Sequence, residues 1–224
     1  SWYGENLKGF QDFSFALSAA RSGKSSSRHQ LVELIRDLTS PAIARATGFI
    51  ELGRVLTEHD SDLLSLGLSD DDPAVRTSAV SILDRMPLDV SAVLAAPMLR
   101  DPVRMVRTEA ARVLAGVSSD FFNSSSAKFF SRAEEEYIAA QMAGAERSES
   151  WTNLGNFYSS KREWSKAIEV YRRAISLNPL YVPAYANLSD VYRVLKDEDT
   201  SEKVLRDGLA VDKGNATLHH ALGL

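Results

Sequence analysis

The chain contains no cysteine. That excludes disulfides, thiolate metal sites, a cysteine nucleophile and covalent haem attachment together, while leaving the redox compartment open. No apolar run approaches the roughly 18 residues that cross a bilayer as a helix, and no secretion signal is visible. The first residue is Ser1 rather than methionine, which fits a removed leader or a piece of a longer chain. Excess charge is small: 26 Lys and Arg stand against 30 Asp and Glu, for a net charge of -4. Such a balance gives no bulk attraction to nucleic acid or to an anionic membrane, so neither partner is expected. What the sequence does have is hydrophobic residues, 44% of 224, enough for one elongated domain or two small ones with a real core.

A phosphate-binding loop is also missing, although "ARSGKSSS" at 19–26 imitates its tail. The Walker pattern needs a glycine five positions before Gly23, where Ser18 stands, and it must leave a strand and open a helix. Here Phe10, Phe13, Leu17 and Ala20 share one helical face, so the stretch follows a helix that Gly23 stops. Other signatures of chemistry are absent as well: no GxSxG, no HExxH, no metal-ligand spacing. His29 and His59 stand alone near helix starts, and His219 and His220 are neighbours that cannot share a helical face. Asp70, Asp71 and Asp72 lack the glycine and distal glutamate of a calcium loop and read as N-capping plus solvation. Glu134, Glu135 and Glu136 read as a solvated face near a helix N-terminus. No catalytic residue, cofactor site or metal site is expected in this chain.

The informative feature is internal repetition. Three segments align on Arg45, Arg76 and Arg107, a spacing of 31 residues. Three positions on come Gly48, Ala79 and Ala110, and four further come Leu52, Leu83 and Leu114. A proline precedes each: Pro41, Pro73 and Pro102. Proline suits a first helical turn, and Asp72 and Asp101 suit the N-cap before it. The small residue permits close helix approach, and the leucine fills the space between layers. Each helix follows another apolar-periodic segment, "HQLVELIRDL", "SDLLSLGL" or "DVSAVLAAPML", so each unit is a helical hairpin. This pattern over about 28–116 resembles HEAT repeats in a short form.

The second half carries a different period, 34 residues. Counting from Ser148, Trp151 is position 4, Leu154 and Gly155 are 7 and 8, and Tyr158 is 11. Ala167, Tyr171, Ala174 and Pro179 take 20, 24, 27 and 32. This resembles the tetratricopeptide (TPR) pattern almost in full, with Gly155 and Ala167 where the paired helices cross. A divergent unit follows at 182–215. It has Tyr185, Leu188, Ser189 and Tyr192 at 4, 7, 8 and 11, Ser201, Leu205 and Gly208 at 20, 24 and 27, and Lys213 in place of the proline. A third unit starts at Ala216. Before them, Ala133, Tyr137 and Ala140 suit a lone helix that covers the end of the stack. The aromatics fall on pattern positions and are expected in the core.

The expected fold is all-α, an α-solenoid of helical hairpins in a right-handed superhelix, a HEAT-like array followed by a TPR array. The expected organisation is an N-terminal helix plus three HEAT-like repeats over 1–116, a joint over 117–126, and a capping helix plus two TPR repeats and the start of a third over 127–224. The TPR resemblance implies a peptide or partner surface bound in the concave groove, without catalysis. Its usual contact positions fall on Glu149, Thr152, Asn156, Ser159 and Ser160 in the first unit. In the second they fall on Ala186, Asn187, Asp190, Arg193 and Val194, and in the third on Thr217 and His220. Asparagine can donate to and accept from a peptide backbone at once. The family's clamp for C-terminal carboxylates has asparagines matched by Asn156 and Asn187. Its basic residues are missing, with Thr152 at the first lysine position and Thr217 and Ala221 in the third unit, so a carboxylate is not the expected ligand. The alternative for these polar residues is solvation of an unoccupied groove.

The order of the arrays and the phrases "SPAIARAT", "DPVRMVRTEAARVLAG" and "ATLHHALGL" resemble the C-terminal part of a bacterial multihaem cytochrome c family. There, haem-binding segments precede a HEAT-TPR tail in the periplasm. The resemblance implies, as the alternative function, the scaffold tail of an electron-transfer protein with a redox partner protein. Haem would then belong only to a preceding part of the parent. It favours the periplasm, with the cytoplasm left open.

Overall fold

The computed structural model describes residues 12–23 and 27–223. Among these residues all regular structure is helical, an α-solenoid fold of repeated hairpins with no strand. In chain order the helices are α1 (Asp12–Arg21), α2 (Ser27–Arg36), α3 (Ala42–Leu52), α4 (Ser61–Leu68), α5 (Pro73–Ser81), α6 (Leu88–Ala95) and α7 (Arg104–Leu114). There follow α8 (Ser124–Met142), α9 (Ser148–Ser160), α10 (Trp164–Leu177), α11 (Val182–Val194), α12 (Glu198–Val211) and α13 (Ala216–Leu222). Short 3-10 turns at Glu58–Asp60, Leu83–Arg85, Ala96–Arg100 and Ser119–Phe121 fill the joints. The chain divides into two compact units, one ending at Glu134 and one beginning at Glu135.

In the first unit the 31-residue period is a packing period. Leu52, Leu83 and Leu114 are each 0% exposed, and Gly48, Ala79 and Ala110 are buried beside them. Each leucine contributes about 1.5–3 kcal/mol by leaving water. The small residues are needed because helices press there: a Cβ on Gly48 would stand 3.1 Å from Cγ1 of Ile35. The hairpins are α2–α3, α4–α5 and α6–α7, with α1 adding Leu17 and Ala20 to the same core. Gly23 stops α1 in the left-handed region at φ 66°. Phe10 and Lys24 to Ser26 lie outside the described residues.

The repeated arginines tie one hairpin to the next. Arg45 donates to both carboxylate oxygens of Asp70 at 2.9 Å and to the Ser40 carbonyl at 2.6 Å. Arg76 repeats the arrangement, pairing with Asp101 at 2.7 and 3.0 Å and donating to the carbonyls of Asp70 and Asp71. Arg107 donates to the carbonyls of Asp101 and Pro102. The planar guanidinium, with five fixed donors, can serve a carboxylate and a turn of backbone together. The Asp101 hydrogen bond holds the Arg76 guanidinium above its ordinary range. Burial pushes the Asp101 carboxyl upward, but hydrogen bonds from Arg76 and the Val103 amide outweigh it and leave its pKa below the usual range.

Three local expectations change. Asp72 does cap α5, accepting from the Ala74 amide at 2.8 Å, with Pro73 in the first turn. Asp101, however, is not the cap of α7; that position is Val103, and Asp101 accepts from the Val103 amide at 2.8 Å while pairing with Arg76. Asp70 is not solvated: its side chain is 6% exposed, in the pair with Arg45. The glutamate run lies well inside α8 rather than near its N-terminus, and of the three only Glu135 is exposed.

In the second unit α9–α10 and α11–α12 form two hairpins and α13 adds a further helix. Gly155 and Ala167 are buried at the α9–α10 crossing; a Cβ on Gly155 would lie 2.2 Å from Cε1 of Tyr171. The divergent repeat solves the same crossing differently. Ser189 and Ser201 stand at the equivalent positions, 0% and 2% exposed, with their hydroxyls 2.8 Å apart. At position 4 the first repeat uses the Trp151 indole to reach the Ala145 carbonyl at 2.7 Å. The second uses the Tyr185 hydroxyl to reach the Pro179 carbonyl at 3.0 Å. The Tyr137 ring stacks on Phe157 at 4.8 Å, which joins the end of α8 to α9.

Candidate functional site

A cleft of about 400 Å³ opens between α9, α10 and α11, lined by Asn156, Ser159, Ser160, Trp164, Tyr171, Asn187, Asp190, Val191 and Val194. The 34-residue period puts it there: successive first helices of the hairpins stand side by side, and Asn156 in α9 meets Asn187 in α11. The floor is a hydrogen-bonded cluster. The Tyr171 hydroxyl donates to Oδ1 of Asn156 at 2.7 Å, and Nδ2 of Asn187 donates to the same oxygen at 2.7 Å. The Ser159 hydroxyl lies 3.4 Å from that of Tyr171.

This cluster orients both amides. With its oxygen taken by two donors, Asn156 keeps its amide nitrogen free of protein partners among the described residues. Asn187 keeps its oxygen. Among the lining residues the Asn156 nitrogen is thus left as a donor and the Asn187 oxygen as an acceptor, the two kinds of group that a peptide unit can bond. Burial holds the Tyr171 phenol above its ordinary range, and the hydrogen bonds from Ser159 and Asn187 oppose that shift. Tyr171 thus remains a neutral donor near neutral pH.

The structure brings together Asn156, Ser159, Ser160, Asn187, Asp190 and Val194 of the sequence-derived positions. The others lie outside this lining. Thr152 is 3% exposed, with its hydroxyl buried and without a hydrogen-bond partner among the described residues. Ala186 packs against the cluster of Tyr185, Leu205 and Leu218. Arg193 donates to Asp190 at 3.0 Å and to the Ala221 carbonyl. Glu149, Thr217 and His220 are exposed.

Sequence reasoning missed Trp164 and Val191 and took Tyr171 as bulk alone. A signal existed for the last: a buried tyrosine needs a partner for its hydroxyl, whereas bulk alone is served by phenylalanine. Elsewhere, His29 faces Glu33 on an exposed turn, and His219 lies 2.8 Å from the Lys213 carbonyl. No group of three or more His, Asp or Glu able to hold a metal occurs among the described residues. None of their helices is long and apolar enough to cross a membrane.

The tetratricopeptide repeat family profile matches residues 148–181, the α9–α10 hairpin and the turn that follows it. The match supports an interaction-scaffold type of repeat in this segment. No curated protein gives a significant match to the chain. Among solved structures, "MamA 41-end from Desulfovibrio magneticus RS-1" is similar at 16% identity and a TM-score of 0.49, covering 94% of this chain and 98% of that one. BtubC (BKLC) from P. vanneervenii is similar at 14% identity and a TM-score of 0.44, covering 93% and 92%. Likenesses at this level carry no conclusion about activity or partner.

Proposed function

We propose that the chain is a non-catalytic adaptor that holds an extended peptide segment of a partner protein in the cleft between α9, α10 and α11. The observation that carries this reading is the shared Asn156 oxygen. Two internal donors occupy it, which leaves the Asn156 amide nitrogen as a donor and the Asn187 oxygen as an acceptor for a backbone unit. Binding through backbone groups needs little from the partner's sequence and suits a scaffold. Asn156→Ala and Asn187→Ala together weaken partner binding by about 1–3 kcal/mol, the cost of unpairing buried backbone groups. Isothermal titration of the partner segment measures it, and an unchanged Kd overturns the assignment.

The first unit is read as a HEAT-like array; its support is the 31-residue period with its buried leucines and its arginine-carboxylate ties. The cytochrome-tail alternative is supported by the order of the two arrays and the three sequence phrases. Mass and reduced visible spectrum of the endogenous protein decide it. Haem bands on a species well above 24.6 kDa favour the tail, and a larger species without them favours the free adaptor.

A further inference from the structure

Beyond the amide floor, the cleft has a wall of different character, and the following inference rests on the peptide-binding reading above. Trp164, Val191 and Val194 make that wall apolar, and Val194 is 59% exposed. Asp190 is the one charged side chain in the lining, and its carboxylate is 64% exposed. Arg193 holds one of its oxygens at 3.0 Å from the helix turn below, while its other arm goes to the Ala221 carbonyl. Arg193 itself does not line the cleft, and the second Asp190 oxygen has no partner among the described residues. The negative charge reaches the floor, where it adds to the upward shift of the Tyr171 phenol.

We propose that Trp164, Val191, Val194 and Asp190 form a side-chain subsite that selects a lysine or arginine of the bound segment. Four-carbon and three-carbon stems with a terminal cation match an apolar wall that ends in a carboxylate. Trp164 lines the same cleft, and an indole is the most favourable aromatic partner for a cation. A glutamate or a terminal carboxylate would meet Asp190 with no cation in the lining to offset it. A neutral aliphatic side chain would fill the wall and leave Asp190 hydrated.

The test uses three peptides, acetylated and amidated at their ends, that differ only in a central lysine, norleucine or glutamate. Each is titrated into the 15N-labelled full chain while the Trp164 indole and the Asn156 and Asn187 side-chain amides are followed. Lysine is expected to bind about five-fold tighter than norleucine at low salt, as suits one exposed ion pair with a cation–π contact. Glutamate binds most weakly, and the lysine advantage shrinks in salt. Asp190→Asn brings lysine level with norleucine, and the variant's amide spectrum reports its fold. Equal affinity for the three peptides overturns the subsite and leaves the backbone reading standing. So does a lysine advantage that survives Asp190→Asn. No response at the cleft to any peptide overturns both.

Discussion

Replacing Gly155 by alanine tests whether the α9–α10 crossing is set by the absence of a single methyl group. The added Cβ would meet three ring atoms of Tyr171, at 2.2, 2.5 and 2.6 Å. Ordinary contact begins near 3.4 Å, so the ring must retreat by 1.2 Å, the difference between 3.4 and 2.2. Tyr171 is 2% exposed, and a ring has no flexible tip to swing aside. Overpacking of this kind costs about 1–3 kcal/mol. The retreat also breaks the 2.7 Å bond to Asn156 and strands a buried hydroxyl, for about 1–3 kcal/mol more. Against this, alanine favours the helix over glycine by about 1 kcal/mol. The net loss is about 3 kcal/mol. Urea unfolding followed by fluorescence measures it: of the three tryptophans, Trp151 and Trp164 lie in this unit, and Trp2→Phe in every variant silences the third. Gly214→Ala is the control, because a Cβ there meets nothing within 4 Å; its midpoint stays put or rises. Adding Tyr171→Leu to Gly155→Ala should cost less than Tyr171→Leu alone, since the two residues compete for one space. A midpoint unchanged in Gly155→Ala, or strict additivity in that pair, refutes the reasoning.

Arg162 and Lys196 sit 34 residues apart in the left-handed region, at φ 59° and 62°, each closing the turn inside a hairpin. Arg162→Gly and Lys196→Gly should each stabilise the second unit by about 0.5–1 kcal/mol, because glycine adopts that conformation without the Cβ penalty; a lower unfolding midpoint contradicts this. Arg76→Met leaves Asp101, whose side chain is 5% exposed, without its guanidinium partner, with only the Val103 amide and the more distant Arg107 to offset its charge, and should cost about 3 kcal/mol. Adding Asp101→Asn should recover part of that loss in urea unfolding. The Asp101 pKa is lower in the folded chain than in the unfolded one, so its stabilisation is fully present above the unfolded value of about 3.9. It is lost as the pH falls through the folded value. Wild type should therefore lose stability below about pH 4 more steeply than Asp101→Asn, as circular dichroism of acid unfolding would show.

The parts of the fold legible in the sequence were those written as a period. Leu52, Leu83 and Leu114 could be placed in the core because equal spacing implies equal environment, and Gly155 could be placed at a crossing because its repeat position is small. The ties between hairpins were not legible, for a reason of scale. The pairs Arg45–Asp70 and Arg76–Asp101 each span 25 residues, which is neither a helical neighbour nor a full repeat. A signal was present, since Asp70 and Asp101 share the 31-residue spacing of their arginines. It was obscured because capping explains an aspartate beside a proline, as at Asp101, and because Asp70 sits in a run read as capping plus solvation. Trp164 was missed because its position belongs to the second helix of the hairpin, whereas the usual contact positions all lie on the first.

The same residues carry packing and recognition in the second unit, and that makes the cleft's chemistry a consequence of its core. Gly155 admits the Tyr171 ring; the ring sets its hydroxyl under Asn156; the hydroxyl and Asn187 together turn the Asn156 oxygen inward. An exposed asparagine amide can flip at little cost, presenting either face to a ligand. Here a flip would set an N–H against the Asn187 N–H and forfeit the bond from the Tyr171 hydroxyl, so the present orientation is favoured before any partner arrives. A preorganised amide avoids the ordering cost that a mobile side chain incurs on binding. The divergent repeat shows the complementary case. It packs its crossing with Ser189 and Ser201 bonded to each other, with no tyrosine beneath, and no fixed amide follows from it. The candidate site thus sits beside the repeat with the glycine–tyrosine crossing, and the packing of that crossing decides what α9 can offer to a ligand.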